Sequence, residues 1–259
     1  MSQCFDLVLL GGRICDGTGN PMFWGDIGIR GDRIEFIGNL KKNSAKESLS
    51  LDGLVVAPGF IDLHNHVDQG IGTFPDAESY IMQGVTTSVV GNCGLSMAPL
   101  SPQHREEAKA YLKAFLPRNN DYLWDWLSLS DFFAHVSQNG MVLNLAPLVG
   151  QGSIRLAVKG FDPAPASLAE MEDMKYLLRK ELEAGVFGLS SGLIYPPGSY
   201  TCTEELLELA KILKEYGGFY ASHLRNEGDR LIEAVDEAIF IGEKNGIRSE
   251  EHTSELQSL

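Results

Sequence analysis

Basic side chains are scarce: 21 Lys and Arg stand against 35 Asp and Glu in 259 residues, a formal net charge of -14. Nucleic-acid binding rests on neutralising phosphates with Lys and Arg. That class of partner is excluded, and an anionic membrane surface with it. Long apolar runs are missing too, since no stretch reaches the roughly 18 residues of a membrane-spanning helix. Near the start, Leu7-Val8-Leu9-Leu10 is too short and lacks the basic flank of a leader. The four cysteines, Cys4, Cys15, Cys93 and Cys202, are scattered with no CxxC, which removes zinc ribbons and dithiol redox centres. The expectation left standing is a cytoplasmic protein with reduced thiols. The 44% hydrophobic and 22% charged fractions are ordinary for a globular chain.

The last stretch, Arg248 to Leu259, is polar and has no apolar periodicity. Through Ser258 it matches, codon for codon, the translation of a common sequencing-library adapter. It is set apart as an adapter-derived tail outside the fold, and His252 is set aside with it as a candidate ligand.

Three segments result. Residues 1–57 read as short strands of the N-terminal part of a small β-sandwich. Phe5-Asp6-Leu7-Val8-Leu9 alternates, and Gly31-Asp32 between Asp26–Arg30 and Arg33–Ile37 is a hairpin signal. Asn43 to Ser48 reads as a polar loop before Leu54-Val55-Val56. Residues 58–247 repeat strand, loop and helix, with strands ending at Leu63, Val90, Val149, Leu189 and Ser222. Helices are expected over Pro75–Gln83 and Ser167–Ala184, and around Leu206–Leu213 and Leu231–Gly246; Thr201 and Glu204 read as a capping box. Alternating elements of this kind mean parallel βαβ units. The fold class is therefore α/β, a partial (β/α)8 barrel with about five of eight strands. Residues 101–138, with Trp124, Trp126, Phe132 and Phe133, form an insertion that packs as helices or serves as a substrate lid. Residues 248–259 are the tail.

His64-Asn65-His66 follows the first barrel strand. Residues i and i+2 of a strand face the same way, so both imidazoles can meet one metal ion at the barrel mouth. Cys93, in Gly91-Asn92-Cys93-Gly94, ends the second strand, and zinc accepts Cys and His together. His223 ends the fifth strand at the same rim. Alone, each has a bland reading as a packed residue; together they are more simply read as one metal centre. Asp68, two residues beyond His66, is a candidate to orient a ligand. Arg225 and Glu227 serve either substrate or structure. His104 and His135 are read as surface residues, and Cys4, Cys15 and Cys202 receive no role. Gly17-Thr18-Gly19-Asn20 neither follows a strand nor opens a helix, so it is no dinucleotide loop.

These segments resemble the D-aminoacylase (N-acyl-D-amino-acid deacylase) branch of the amidohydrolase superfamily. The resemblance is carried by Ala57-Pro58-Gly59-Phe60-Ile61-Asp62-Leu63-His64-Asn65-His66, Gln83-Gly84-Val85-Thr86-Thr87, Gly91-Asn92-Cys93-Gly94, Gly188 to Pro197, and Ser222-His223-Leu224-Arg225-Asn226-Glu227. It implies a zinc site: Cys93 and His223 on the tightly bound ion, Cys93 able to bridge, and His64 and His66 on one ion or a weaker position. It implies Ile194 as a side-chain pocket residue. It also implies a small-molecule N-acyl amino acid as substrate, and a general-base aspartate and a further histidine beyond Ile247. Where the family commonly has a histidine after the third strand, this chain has Gln151. Two other readings stay open: a cyclic-amide hydrolase of the hydantoinase or dihydroorotase kind, and a zinc-binding fragment without turnover.

Overall fold

A computed structural model describes residues 5–40, 45–120, 122–138 and 140–252. The chain divides after Gly59 into two units. In the first, β1 (Phe5–Ile14), β2 (Phe23–Arg30), β3 (Arg33–Gly38), β4 (Ala45–Ser50) and β5 (Val55–Val56) share one sheet, ordered β3-β2-β1-β4, with β5 also on β1. Phe5, Val8, Ile14, Ile27 and Leu51 are its buried apolar residues. Arg30 pairs with Arg33 across Gly31, whose φ of 57° is the positive value a two-residue hairpin turn requires. The polar loop expected over Asn43 to Ser48 is corrected from Ala45 onward. Ala45–Ser50 pairs in parallel with β1 as an edge strand, and exposure on nearly every residue leaves it no apolar alternation to read. Asn43 and Ser44, and Cys4, lie outside the described residues.

Among the described residues the second unit is built on six parallel strands in chain order: β6 (Phe60–Asp62), β7 (Val85–Val90), β8 (Asn144–Gly150), β9 (Gly188–Gly192), β10 (Phe219–His223) and β11 (Ser249–His252). Among the described residues eight α-helices accompany them: α1 (Val67–Gly70), α2 (Glu78–Ile81), α3 (Arg105–Leu112), α4 (Leu129–Ser137), α5 (Gln151–Lys159), α6 (Leu168–Glu183), α7 (Thr203–Tyr216) and α8 (Leu231–Asn245). Adjacent strand residues face opposite ways. Val90, Val149, Leu189 and Tyr220 therefore meet Leu178, Leu206, Leu209, Leu213 and Ile241 of the helices in the main core. Val89, Leu148 and Ala221 form a smaller cluster of their own.

The count of five strands is corrected to six, and so is the exclusion of the tail from the fold. Gly246 caps α8, and Ser249–His252 pairs with β10 in the register Tyr220↔Ser249 to His223↔His252. A ladder is made by backbone groups, so the polar side chains of this segment gave no warning of it. The tail's remaining residues, 253–259, are outside the description.

Capping also differs from expectation. Cys202, not Thr201, precedes α7, with no side-chain cap, and the Thr201 hydroxyl accepts from Gln151 Nε2 at 2.7 Å instead. True capping boxes open α4 at Ser128/Asp131 and α6 at Ser167/Glu170. In the insertion, Trp124, Trp126 and Phe132 are buried in the main core, which is the helical-packing arrangement. His104 and His135 are half-buried, a correction to their reading as surface residues: His104 meets Glu107, and His135 packs on Trp126. Among the described residues no helix is long and apolar enough to cross a membrane.

Candidate metal centre

The strands deliver their functional side chains to one end of the sheet. Cys93 sits in a turn that only glycines permit. Its own φ is 58°, and it is flanked by Gly91 and Gly94 at 74° and 70°. A Cβ on Gly91 would stand 2.0 Å from the Leu148 carbonyl oxygen, and one on Gly94 would stand 2.6 Å from the Gly192 nitrogen. A non-glycine residue held in the left-handed region is strained, and such strain concentrates at functional sites. Asn92 fastens the turn. Its Nδ2 donates to the carbonyls of Val89 at 2.9 Å and Asn65 at 3.1 Å, so the HxH loop and the cysteine turn are held by one side chain. Tyr195 donates to the Cys93 carbonyl at 2.7 Å, and its ring packs edge-on to His223 with centroids 5.3 Å apart.

Cys93 Sγ lies 3.4 Å from His64 Nε2 and 3.3 Å from His252 Nε2. Ligand atoms of these three residues all fall within 4.8 Å of one another. Zinc bound tetrahedrally at usual Zn–S and Zn–N lengths separates its sulfur and nitrogen ligands by about 3.5 Å. The cluster fits that spacing. His66 and His223 flank it: the His66 ring is 5.9 Å from that of His64, and the His223 ring 5.2 Å from that of His252. Of the four expected ligands, the structure brings His64 and Cys93 into the tight cluster and sets His66 and His223 at its margin. His252, excluded on sequence, joins it.

The electrostatics also suit a cation. His223 Nε2 donates to Glu227 Oε1 at 2.8 Å, which leaves Nδ1 as the bare nitrogen. That Nδ1 is buried with no hydrogen-bond partner among the described residues. A carboxylate behind a histidine is the usual support of a metal-binding imidazole. Burial, reinforced by His252 and other neighbouring rings, holds the imidazoles of His64 and His66 down at about 4, and lowers that of His223. They are thus neutral at physiological pH, the form that binds metal.

The other candidates separate clearly. Asp68 is fully buried, and burial raises its carboxyl to about 7 against the backbone N–H groups of Gln69 and Gly91 that favour its charge. Arg225 is structural: it forks onto Glu237, with Nε–Oε2 at 2.8 Å, and donates to the Thr201 carbonyl. Ile194 is 40% exposed just beyond β9. Sequence reasoning missed Asn92 and Tyr195, although both stand inside motifs it had singled out.

A cavity of about 260 Å³ opens on the cluster, lined by His66, Gln69, Cys93, Leu95, Phe115, Tyr195 and His223.

No family model matches the chain. A D-aminoacylase of Alcaligenes xylosoxydans xylosoxydans is 38% identical over 241 residues, covering 93% of this chain and 49% of the relative. An N-acyl-D-glutamate deacylase from Bordetella bronchiseptica, solved with zinc and a phosphonate mimic of the tetrahedral intermediate, superposes with a TM-score of 0.84 at 37% identity, covering 95% of this chain and 50% of that one. A D-aminoacylase structure described for its binuclear metal centre gives 0.81 at 35% identity, with 95% and 50% covered. The chain spans about half the length of the curated relatives it matches. An L-hydantoinase from Arthrobacter aurescens, at 15% identity and a TM-score of 0.59 over 95% of this chain and 52% of that one, shares the fold alone.

Proposed function

Because the chain belongs to the D-aminoacylase branch of the metal-dependent amidohydrolases, we propose that the longer protein hydrolyses the amide bond of N-acyl-D-amino acids to a carboxylate and a D-amino acid. The reading is supported above all by Cys93, a thiol 3.4 Å from His64 Nε2 at the end of a parallel strand, with His66 and His223 beside it on the same cavity. Zinc held there would polarise the scissile carbonyl and lower the pKa of bound water to about 7.

Cys93 and His223 would hold the tighter ion, and His64 and His66 a weaker one that Cys93 is placed to share. Glu227 fixes the tautomer of His223, and Asn92 fixes the distance between the HxH loop and the thiol. Ile194 would border the substrate. We assign no proton-accepting residue to the described chain: Glu227 is spent on His223, and Asp68 is buried against backbone N–H groups. The general-base aspartate belongs to the longer protein, as do closure of the half-barrel to eight strands and completion of the N-terminal sheet as a sandwich. Residues 248–259 we continue to read as adapter-derived, with β11 an opportunistic occupant of the open edge of β10. The thiols suit the cytoplasm.

By itself the chain would not turn over. It would be prone to aggregate, because Phe60, Ile61 and Leu63 at the β6 edge are 62–71% exposed. The cyclic-amide alternative is disfavoured, since hydantoinase relatives usually use a carboxylated lysine as the bridging ligand, a role Cys93 is placed to fill here, and no lysine lines the cavity at the cluster among the described residues. The test is chiral chromatography of products after the zinc-loaded full-length protein meets N-acetyl-D- and N-acetyl-L-amino acids and a hydantoin. Release of D-amino acids is expected; hydrolysis of the hydantoin alone, or of nothing, overturns the reading.

A further inference from the structure

Strand β9 carries none of the candidate metal ligands, yet it braces two of them. Just past its end, the Leu193 N–H donates to the His223 carbonyl at 3.0 Å. Toward its other neighbour, the cysteine turn crosses the end of β8 and is received by β9. The crossing needs glycines beneath it: a Cβ on Gly150 would stand 2.4 Å from the Gly94 carbonyl oxygen, and one on Gly152 would stand 2.8 Å from it. That oxygen accepts from the Ser153 N–H at 3.2 Å. On β9 the turn meets Ser190, whose Oγ accepts from the Gly94 N–H at 3.0 Å and donates to the Gly91 carbonyl. One fully buried hydroxyl thus bonds the backbone on both sides of Cys93.

We propose that Ser190 is a positioning residue for the metal centre: it closes the turn that holds Cys93 in its left-handed conformation, and so sets the thiol beside His64 before any metal binds. The inference rests on the amidohydrolase reading and adds to it the group that preforms the bridging ligand. A φ of 58° at a cysteine persists only where its surroundings over-determine it. Asn92 and Tyr195 hold the turn at single points, through the Val89 and Cys93 carbonyls. Ser190 closes it, because a hydroxyl donates and accepts at one atom. Alanine does neither, and would free the Gly91 carbonyl and the Gly94 N–H together. The thiol would then swing with the relaxed backbone. The next residue supplies an internal control. Ser191 is as deeply buried, but it faces the opposite side of the sheet. It is hydrogen-bonded to the Tyr220 hydroxyl at 2.6 Å and to Ser222 Oγ at 3.1 Å.

The test compares Ser190→Ala with Ser191→Ala in the full-length protein. Each removes a buried hydroxyl that makes two hydrogen bonds, so both should lower the thermal unfolding temperature. Only Ser190→Ala should also lower zinc affinity, by about 10–100-fold in competition with a chelator, and weaken the thiolate-to-cobalt absorption of the cobalt-loaded protein. A second measurement needs no substitution, and decides the matter even where Ser190→Ala does not fold. Hydrogen–deuterium exchange of the Gly94 amide should be slow in the metal-free parent, because Ser190 and not the metal closes the turn. Unchanged zinc affinity and cobalt absorption in Ser190→Ala, equal losses in the two variants, or a Gly94 amide that exchanges freely until zinc is added would each overturn the proposal. The parent's own cobalt absorption reads the metal centre separately, so failure of the centre is not confused with failure of Ser190.

Discussion

His252 Nε2 stands 3.3 Å from Cys93 Sγ, although 159 positions separate the two residues in sequence. The contact exists because β11 pairs with β10 in a register that sets His252 directly opposite His223. Glu250, two residues earlier and so on the same strand face, meets His252 Nδ1 at 3.3 Å, and His252 itself is buried. A segment read as adapter sequence thus brings an imidazole into the cluster with His64 and Cys93.

The first prediction separates true ligands from this newcomer. Cys93→Ser should lower zinc affinity by about 100-fold or more and abolish the thiolate-to-cobalt absorption, because it removes the group central to the cluster. His252→Ala should weaken zinc binding by a smaller factor, about tenfold, and leave the absorption in place, since His64, His66 and His223 can still serve. Equal losses in the two variants would make His252 as much a ligand as Cys93.

Asn92 offers a cleaner test of how the site is held. It is 1% exposed, and both its donated bonds end on carbonyls, one in the HxH loop and one in β7. Asn92→Ala removes both donated bonds, at about 1–3 kcal/mol of stability. It also frees the HxH loop from the cysteine turn, so zinc affinity should fall by about 10–100-fold, as for lost supporting groups elsewhere. Thermal unfolding with and without zinc reads both effects. A variant destabilised but with unchanged zinc affinity would show that Asn92 serves the fold alone.

Much of this was legible in the sequence, and for identifiable reasons. The repeat of strand, loop and helix marked out β6 to β10, and the ends of β6, β7 and β10 carry His64, Cys93 and His223 within three residues or at the last position. The unread parts share a cause. Ser249–His252 and Ala45–Ser50 are edge strands, joined by backbone bonds that set no side-chain pattern. Asn92 reaches Asn65 across 27 residues, and Glu181 reaches Leu129 across 52, contacts that only the tertiary fold creates. The expected capping box at Thr201 failed because α7 begins one residue later, behind Cys202, and the Thr201 hydroxyl accepts from Gln151.

Arg155 and Glu205 join α5 to α7 by a buried ion pair at 2.8 Å, with the arginine side chain fully enclosed. Arg155 Nη2 donates to the carbonyls of Asp162 and Ala164, and Glu205 accepts from the Ala166 N–H. Removing one partner strands a charge in the interior. Arg155→Met alone should cost about 3–5 kcal/mol. Adding Glu205→Leu to it should restore a large part of that loss, because the uncompensated carboxylate goes too. Denaturant unfolding of the two single variants and the double variant checks it; a double variant no more stable than Arg155→Met would place the loss in the loop carbonyls rather than the charge.

Glu181 supplies a pH dependence whose sign is fixed. Burial raises its carboxyl from 4.5 to about 7, against the N–H of Leu129 that favours the charged form at 3.1 Å, and the nearby Asp131 raises it further. The folded state therefore binds more protons than the unfolded state between pH 4.5 and 7. Protonated Glu181 contributes its full stability below 4.5, and that contribution is lost as pH rises through 7. Glu181→Gln removes the titration and keeps a carbonyl for Leu129. Relative to the parent chain, the variant should gain stability as pH rises from 5 to 8, levelling at up to about 3 kcal/mol, and the two unfolding curves should converge toward pH 4.5. A difference that stays flat from pH 4 to 9 would mean that Glu181 ionises freely in the folded chain, and that the Leu129 N–H and local water together offset its burial.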